Sequence, residues 1–114
     1  MHAVQSHGEI SSAAIEISGT VRFSVQVIKE QTITYPHGEN ETCIFTIGSG
    51  RPLDQAMQNA TSEMLRWLCD IHNLSEEEAS LVMSQSVKYI ISNAVNEKFT
   101  TACLIEKSIL NSIL

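Results

Sequence analysis

Basic residues are scarce in this chain. Its 114 residues include only 7 Lys and Arg against 13 Asp and Glu, for a formal net charge of −6. The few cations are scattered: Arg22, Lys29, Arg51, Arg66, Lys88, Lys98 and Lys107. No basic stripe exists to neutralise a row of phosphates, which argues against nucleic-acid binding. The same shortage argues against an anionic membrane surface. No apolar run reaches the ~18 residues that a membrane-spanning helix needs, and no signal peptide is apparent, so a cytoplasmic protein is expected. Aromatics are also few, at 5%. A core must therefore rest on Ile, Leu, Val, Met and Ala. The three cysteines, Cys43, Cys69 and Cys103, form no CxxC pair. An odd number inside apolar patterns reads as free, buried thiols in a reducing compartment, with a nucleophilic thiol as the alternative.

What is present suits one domain. Hydrophobic content is 43%, too high for a disordered chain of this length. Residues 1–10 are polar and read as a loop. Over 13–29 the pattern is β: Ile15 and Ile17 alternate with polar neighbours, Ser18-Gly19 offers a tight turn, and Val21, Phe23, Val25 and Val27 share one face. This predicts a hairpin. Pro36, Gly38 and Asn40 mark a loop, then Thr42–Ile47 reads as a strand with Cys43, Phe45 and Ile47 on one face. Gly48-Ser49-Gly50 lacks the ending of a phosphate loop and reads as a flexible connection. A helix is expected from Pro52 to His72, with an apolar stripe through Leu53, Ala56, Met57, Ala60, Met64, Trp67, Leu68 and Ile71 and a left-handed end at Asn73. Ser75, with Glu78 three residues on, predicts a capping box opening a second helix, whose stripe is Ala79, Val82, Met83 and Val87. Tyr89–Val95 and Thr100–Ile105 read as two last strands, followed by an exposed apolar tail.

The expected fold class is α+β: an antiparallel sheet of about five strands with two antiparallel helices packed on one face. Its parts are a loop-like segment over 1–10, a single domain over 11–107 and an apolar tail over 108–114. Trp67 is expected to anchor the core, with Met57, Met64 and Met83 filling it. Asp54 and Glu63 fall on the wet face of the long helix, and His37 on the surface. His72 suits the negative end of that helix.

The chemistry-bearing run is Met1-His2-Ala3-Val4-Gln5-Ser6-His7-Gly8-Glu9. It is similar to a motif of the acetamidase/formamidase family, Gly-Asp-x-His-Ala-x-Gln-Gly-Asp-Gly-Glu. His2, Ala3, Gln5, Gly8 and Glu9 match. Ser6 stands in place of Gly and His7 in place of Asp, and the opening Gly-Asp has no counterpart before Met1. The resemblance continues through Ala13-Ala14-Ile15-Glu16, through Thr46-Ile47-Gly48-Ser49 with Pro52-Leu53-Asp54-Gln55-Ala56, and through Leu74-Ser75-Glu76-Glu77-Glu78-Ala79 with Met83-Ser84. The pieces run in order across nearly the whole chain and correspond to about the last third of the family's usual length.

The resemblance implies the C-terminal portion or subunit of a hydrolase of linear amides, of the formamide or acetamide kind, assisted by a divalent metal, with zinc expected. Such hydrolysis needs an activated water, a stabilised oxyanion and a proton for the departing nitrogen. On this reading His2, His7 and Glu9 are the candidate metal ligands, and Glu9 is alternatively the general base. Gln5 orients substrate or donates to the oxyanion. The implied partners are a small amide and either a second copy of the chain or an N-terminal partner chain. The isolated chain is expected to be inactive. The competing reading is a truncated relative that keeps the fold as a binding or assembly module. A misassigned start codon is a third.

Overall fold

A computed structural model describes residues 2–113. The elements run β1 (His37–Glu39), β2 (Cys43–Gly50), α1 (Leu53–His72), α2 (Glu76–Ser86), β3 (Lys88–Asn93), β4 (Phe99–Glu106) and α3 (Lys107–Ile113). The four strands form one antiparallel sheet in the order β1-β2-β4-β3. The α+β class with an antiparallel sheet is as expected. The strand count is not: among the described residues there are four, and α3 is a third helix.

The missing strands are those expected over 13–29. Val21, Phe23, Val25 and Val27 are all more than 60% exposed, and residues 20–27 pair with no strand among the described residues. Alternation specifies which side of a strand is apolar, but a strand also needs an edge to pair with and a layer to cover it. Neither is supplied from within residues 2–113. The only ladder fragment here is an isolated bridge between His2 and Glu16.

The sheet's buried face is the reverse of the one that hydrophobic alternation suggests. In β2, Ile44, Thr46, Gly48 and Gly50 are buried while Cys43, Phe45 and Ile47 are half-buried. The reason is the closeness of α1. A Cβ on Gly48 would lie 2.0 Å from the Ala56 carbonyl oxygen and 2.3 Å from the Ala60 nitrogen. Only glycine lets the helix backbone approach so closely. Beside it, the Thr46 hydroxyl donates to the Ala60 carbonyl at 2.6 Å, which satisfies a buried polar group. Gly48 and Gly50 thus belong to β2 and seat the helix; they are not a flexible connection.

Ile105 and Cys103 of β4 lie on this same face, and with Ala60, Met64 and Leu68 of α1, all fully buried, they form one cluster that also takes in Ala79, Val82 and Met83 of α2 and Leu110 of α3. Each large apolar side chain so buried contributes roughly 1.5–3 kcal/mol. Met57 and Ile71 lie at the margin of the stripe and are exposed. Of the cysteines, all free, only Cys103 is fully buried. The expected apolar tail is largely helical, and Leu110 returns to the core; Leu114 lies outside the described residues. The helix ends follow the local signals. Asn73 takes the left-handed conformation (φ 52°, ψ 41°) after α1, and Ser75 with Glu78 completes the capping box of α2.

Two polar residues are less exposed than the sequence suggests. Glu63 is buried at 3% exposure; it accepts the Tyr35 N–H at 3.2 Å and the Arg66 guanidinium at 2.9 Å. His37 stacks on Trp67, ring centroids 4.3 Å apart and nearly parallel, with Nδ1 3.4 Å from Glu63 but not aligned for a hydrogen bond. Trp67 is accordingly half-buried against the core rather than at its centre. The cluster ties the chain leading into β1 onto α1.

Candidate functional site

The segment that carries the His–Gln–Gly–Glu run is held at both ends. At one end, Ala3 donates to the Ile15 carbonyl at 2.8 Å, alongside the His2–Glu16 bridge. At the other, the Gly8 N–H donates to the Ser92 carbonyl at 3.3 Å and Ala94 donates back to the Gly8 carbonyl at 2.8 Å. Gly8 is buried with φ +102°, a conformation that side chains rarely adopt. Here the need for glycine is backbone conformation, since a Cβ would meet nothing closer than 3.8 Å.

The docking of Gly8 onto the end of β3 sets Glu9. Its carboxylate accepts from the Asn93 side-chain amide at 2.6 Å, while Asn93 Oδ1 takes the Asn96 N–H at 3.1 Å. Asn93 lies just past a register shift in the β3–β4 ladder between Ile91 and Asn93. Such a bulge redirects side chains at a sheet's end. Nothing in the sequence pattern singled out Asn93, which read as one more residue of a strand.

His2, Gln5, Ser6, Glu9, Ile10 and Ile15 line one cleft of about 440 Å³. The structure therefore brings His2, Gln5 and Glu9 together and leaves His7, which is exposed, outside the lining. The His2 ring is engaged on both sides. Nδ1 lies 3.0 Å from Gln5 Oε1, and Nε2 lies 3.1 Å from the Glu16 carboxylate. Both neighbours are acceptors, so the ring serves both at once only when it carries both protons.

That arrangement bears on metal binding. A ligating imidazole offers a bare nitrogen, so a metal on His2 must displace Gln5 or Glu16. A catalytic zinc site uses three protein ligands and a water. Among the described residues, no group of three His, Cys, Asp or Glu is placed to hold a metal. A zinc centre at His2 would therefore need donors beyond the described residues as they are placed.

No family model matches the chain, and no curated relative does. Solved structures do. An acetamidase from Bacillus halodurans aligns with 97% of the chain at 32% identity and a TM-score of 0.84. A predicted acetamidase/formamidase from Thermoanaerobacter tengcongensis also aligns with 97%, at 29% identity and a TM-score of 0.83. Over the part it spans, the chain has the fold of these acetamidase/formamidase structures and is similar to them in sequence, as a fragment of that family would be. An acetamidase from Yersinia enterocolitica matches 73% of the chain at 31% identity and a TM-score of 0.69. The chain spans 38%, 37% and 25% of the lengths of the Bacillus, Thermoanaerobacter and Yersinia proteins respectively. Among the described residues, no helix is long and apolar enough to cross a membrane.

Proposed function

We propose that the chain is the C-terminal part of a linear-amide hydrolase, acting in the cytoplasm on formamide- or acetamide-like substrates together with the remainder of an acetamidase-type chain or with a second copy. The observation that carries this reading is the convergence of Gln5 and Glu9 on one cleft, with Glu9 held by Asn93. In hydrolysis, water adds to the amide carbonyl and the C–N bond breaks; the acid formed gives its proton to the released ammonia, leaving a carboxylate and an ammonium ion. Glu9 is suited to take the proton from the attacking water: Asn93 holds Oε2, and Oε1 is left to accept. The same carboxyl then returns that proton to the departing nitrogen. Gln5 has its carbonyl oxygen 3.0 Å from His2 Nδ1, and its amide N–H groups are the donors this reading assigns to the developing oxyanion. A divalent metal, zinc first, enters this reading only with donors from outside the chain beside His2, His7 or Glu9, and no step above runs through it.

The test is ammonia release from formamide and acetamide. The 114-residue chain alone should give none. The chain fused behind the portion of the Bacillus halodurans acetamidase that it does not span should be active, and Glu9→Gln should abolish that activity. Turnover by the chain alone, or a fusion indifferent to Glu9→Gln, would sink the assignment. The alternative, a non-catalytic assembly module, is favoured by the doubly engaged His2 ring and predicts a well-folded fusion with no turnover.

A further inference from the structure

Among the described residues, two apolar surfaces are left at least partly uncovered. The first is the 20–27 segment. Val21, Phe23, Val25 and Val27 recur at every second residue between Thr20, Arg22, Ser24 and Gln26, and exposure runs from 66% at Val21 to 83% at Val25. This is the pattern of a strand with one dry and one wet face, yet its backbone bonds to no other element among the described residues. The second is the sheet face turned away from α1. The β2–β4–β3 register puts Phe45 opposite Leu104, and Ile47 and Ile90 opposite Ala102. Phe45, Ile47, Ile90 and Leu104 are only half-buried, while α1 and α2 pack on the other face. Ala102 between them is buried, so the face is partly covered, and the apolar area left open suits a contact surface.

A second copy of the chain is a poor occupant. It offers two sheet edges. β1 has three residues, and β3 has six with a register shift near its end. The end of β3 is further occupied by Gly8, which bonds to Ser92 and Ala94. Neither edge matches an uninterrupted strand over 20–27. The solved relatives supply a better one. The Bacillus protein aligns with 97% of this chain, yet the match spans 38% of its length, so most of that chain lies elsewhere in the same molecule.

We propose that residues 20–27 are a donated strand that pairs with a sheet edge in the portion of an acetamidase-type chain lying outside this one, and that the same portion covers the Phe45, Ile47, Ile90 and Leu104 face. Main-chain bonds then give the strand its affinity, and Val21, Phe23, Val25 and Val27 give it register, as in other strand-addition complexes. This rests on the reading that the chain works with such a portion, but not on any chemistry at Glu9.

Hydrogen exchange of the amides over 20–27 tests it. They should exchange without protection in the 114-residue chain alone. They should slow by at least about tenfold in the fusion to the Bacillus halodurans portion described above. Val25→Pro removes one ladder donor and should abolish that protection in the fusion. In the chain alone the same change should leave the unfolding midpoint where it was, because Val25 is exposed and unpaired. Unprotected amides in the fusion would overturn the proposal, as would protection that survives Val25→Pro. Protection of 20–27 in a dimer of the chain alone would assign the strand to a second copy instead and overturn it too. A fusion that protects the strand but releases no ammonia would defeat the hydrolase reading and leave this one standing.

Discussion

The side-chain amide of Asn93 donates to the carboxylate of Glu9 at 2.6 Å, joining residues 84 positions apart in the chain. That bond, with the Gly8 backbone pair beside it, holds the N-terminal run against the end of β3. Asn93→Leu should therefore loosen residues 2–16 without unfolding the body. Amide exchange at Gly8 and Ala94 should accelerate, while that of β2 and β4 should not. Unchanged exchange at Gly8 would show that the backbone bonds suffice without Asn93.

Gly48→Ala should destabilise the fold severely. The added Cβ would meet the Ala56 carbonyl oxygen and the Ala60 nitrogen, which are helix backbone and cannot swing aside. Overpacking costs roughly 1–3 kcal/mol where side chains can adjust, and this site should reach or exceed the top of that range. Chemical denaturation measures it. A loss under about 1 kcal/mol would mean that α1 can move off the sheet at little cost.

Replacing Glu63 should be felt at Trp67. The buried carboxylate holds the Tyr35 N–H and sits beside His37, whose ring stacks on Trp67. Glu63→Ala should cost about 2 kcal/mol by leaving the Tyr35 N–H without its charged acceptor. It should also shift the emission of Trp67, the only tryptophan, to longer wavelength as the 31–37 segment lifts. Trp67→Ala should then cost less in the Glu63→Ala background than alone, because the two side chains act on the same segment. Additive losses would separate them.

Cys103 should be inert in the folded protein. Burial pushes its thiol from 9.0 up to about 11, and only the thiolate reacts. Burial, followed by the nearby Glu76 and Asp70 charges, also raises Cys69. At pH 8 a disulfide reagent should leave Cys103 unmodified until denaturant is added. The linked effect on stability has a definite sign. Between about pH 9 and 11 the unfolded thiol has lost its proton while the folded one retains it, so stability should fall as pH rises through that window. Cys103→Ala should flatten the fall.

The capping box should show on the acid side. Glu78 is held below its usual carboxylate range, first by the Ser75 backbone N–H and then by the Ser75 hydroxyl. A depressed folded-state value means stabilisation that is present above the unfolded value, 4.5, and lost as pH falls through the folded one. Thermal melts of Glu78→Gln should therefore converge on the parent as pH falls below 4.5 and through the folded-state value, having been lower at pH 7. Parallel curves would deny Glu78 that role.

Much of this molecule is decided within a few residues of sequence. Ser75 and Glu78 satisfy each other's backbone donors across one turn, Asn73 accepts the left-handed cap, and Ala56, Ala60, Met64 and Leu68 mark one helix face by spacing alone. The run from His2 to Glu9 carried its family likeness in the same local way. Other features came from contacts between distant segments. Whether Cys43, Phe45 and Ile47 or Ile44, Thr46 and Gly48 face the helix was settled by how closely α1 approaches the strand, a property of two elements together. Glu63 became buried because Tyr35 and His37 close over it from 28 and 26 positions away. Asn93 meets Glu9 because Gly8 docks onto the end of β3, just past a register shift in the ladder. The alternation from Val21 to Val27 predicts a strand with one apolar face, but a strand exists only when an edge and a covering layer exist for it. Those belong to tertiary structure, and within residues 2–113 nothing provides them.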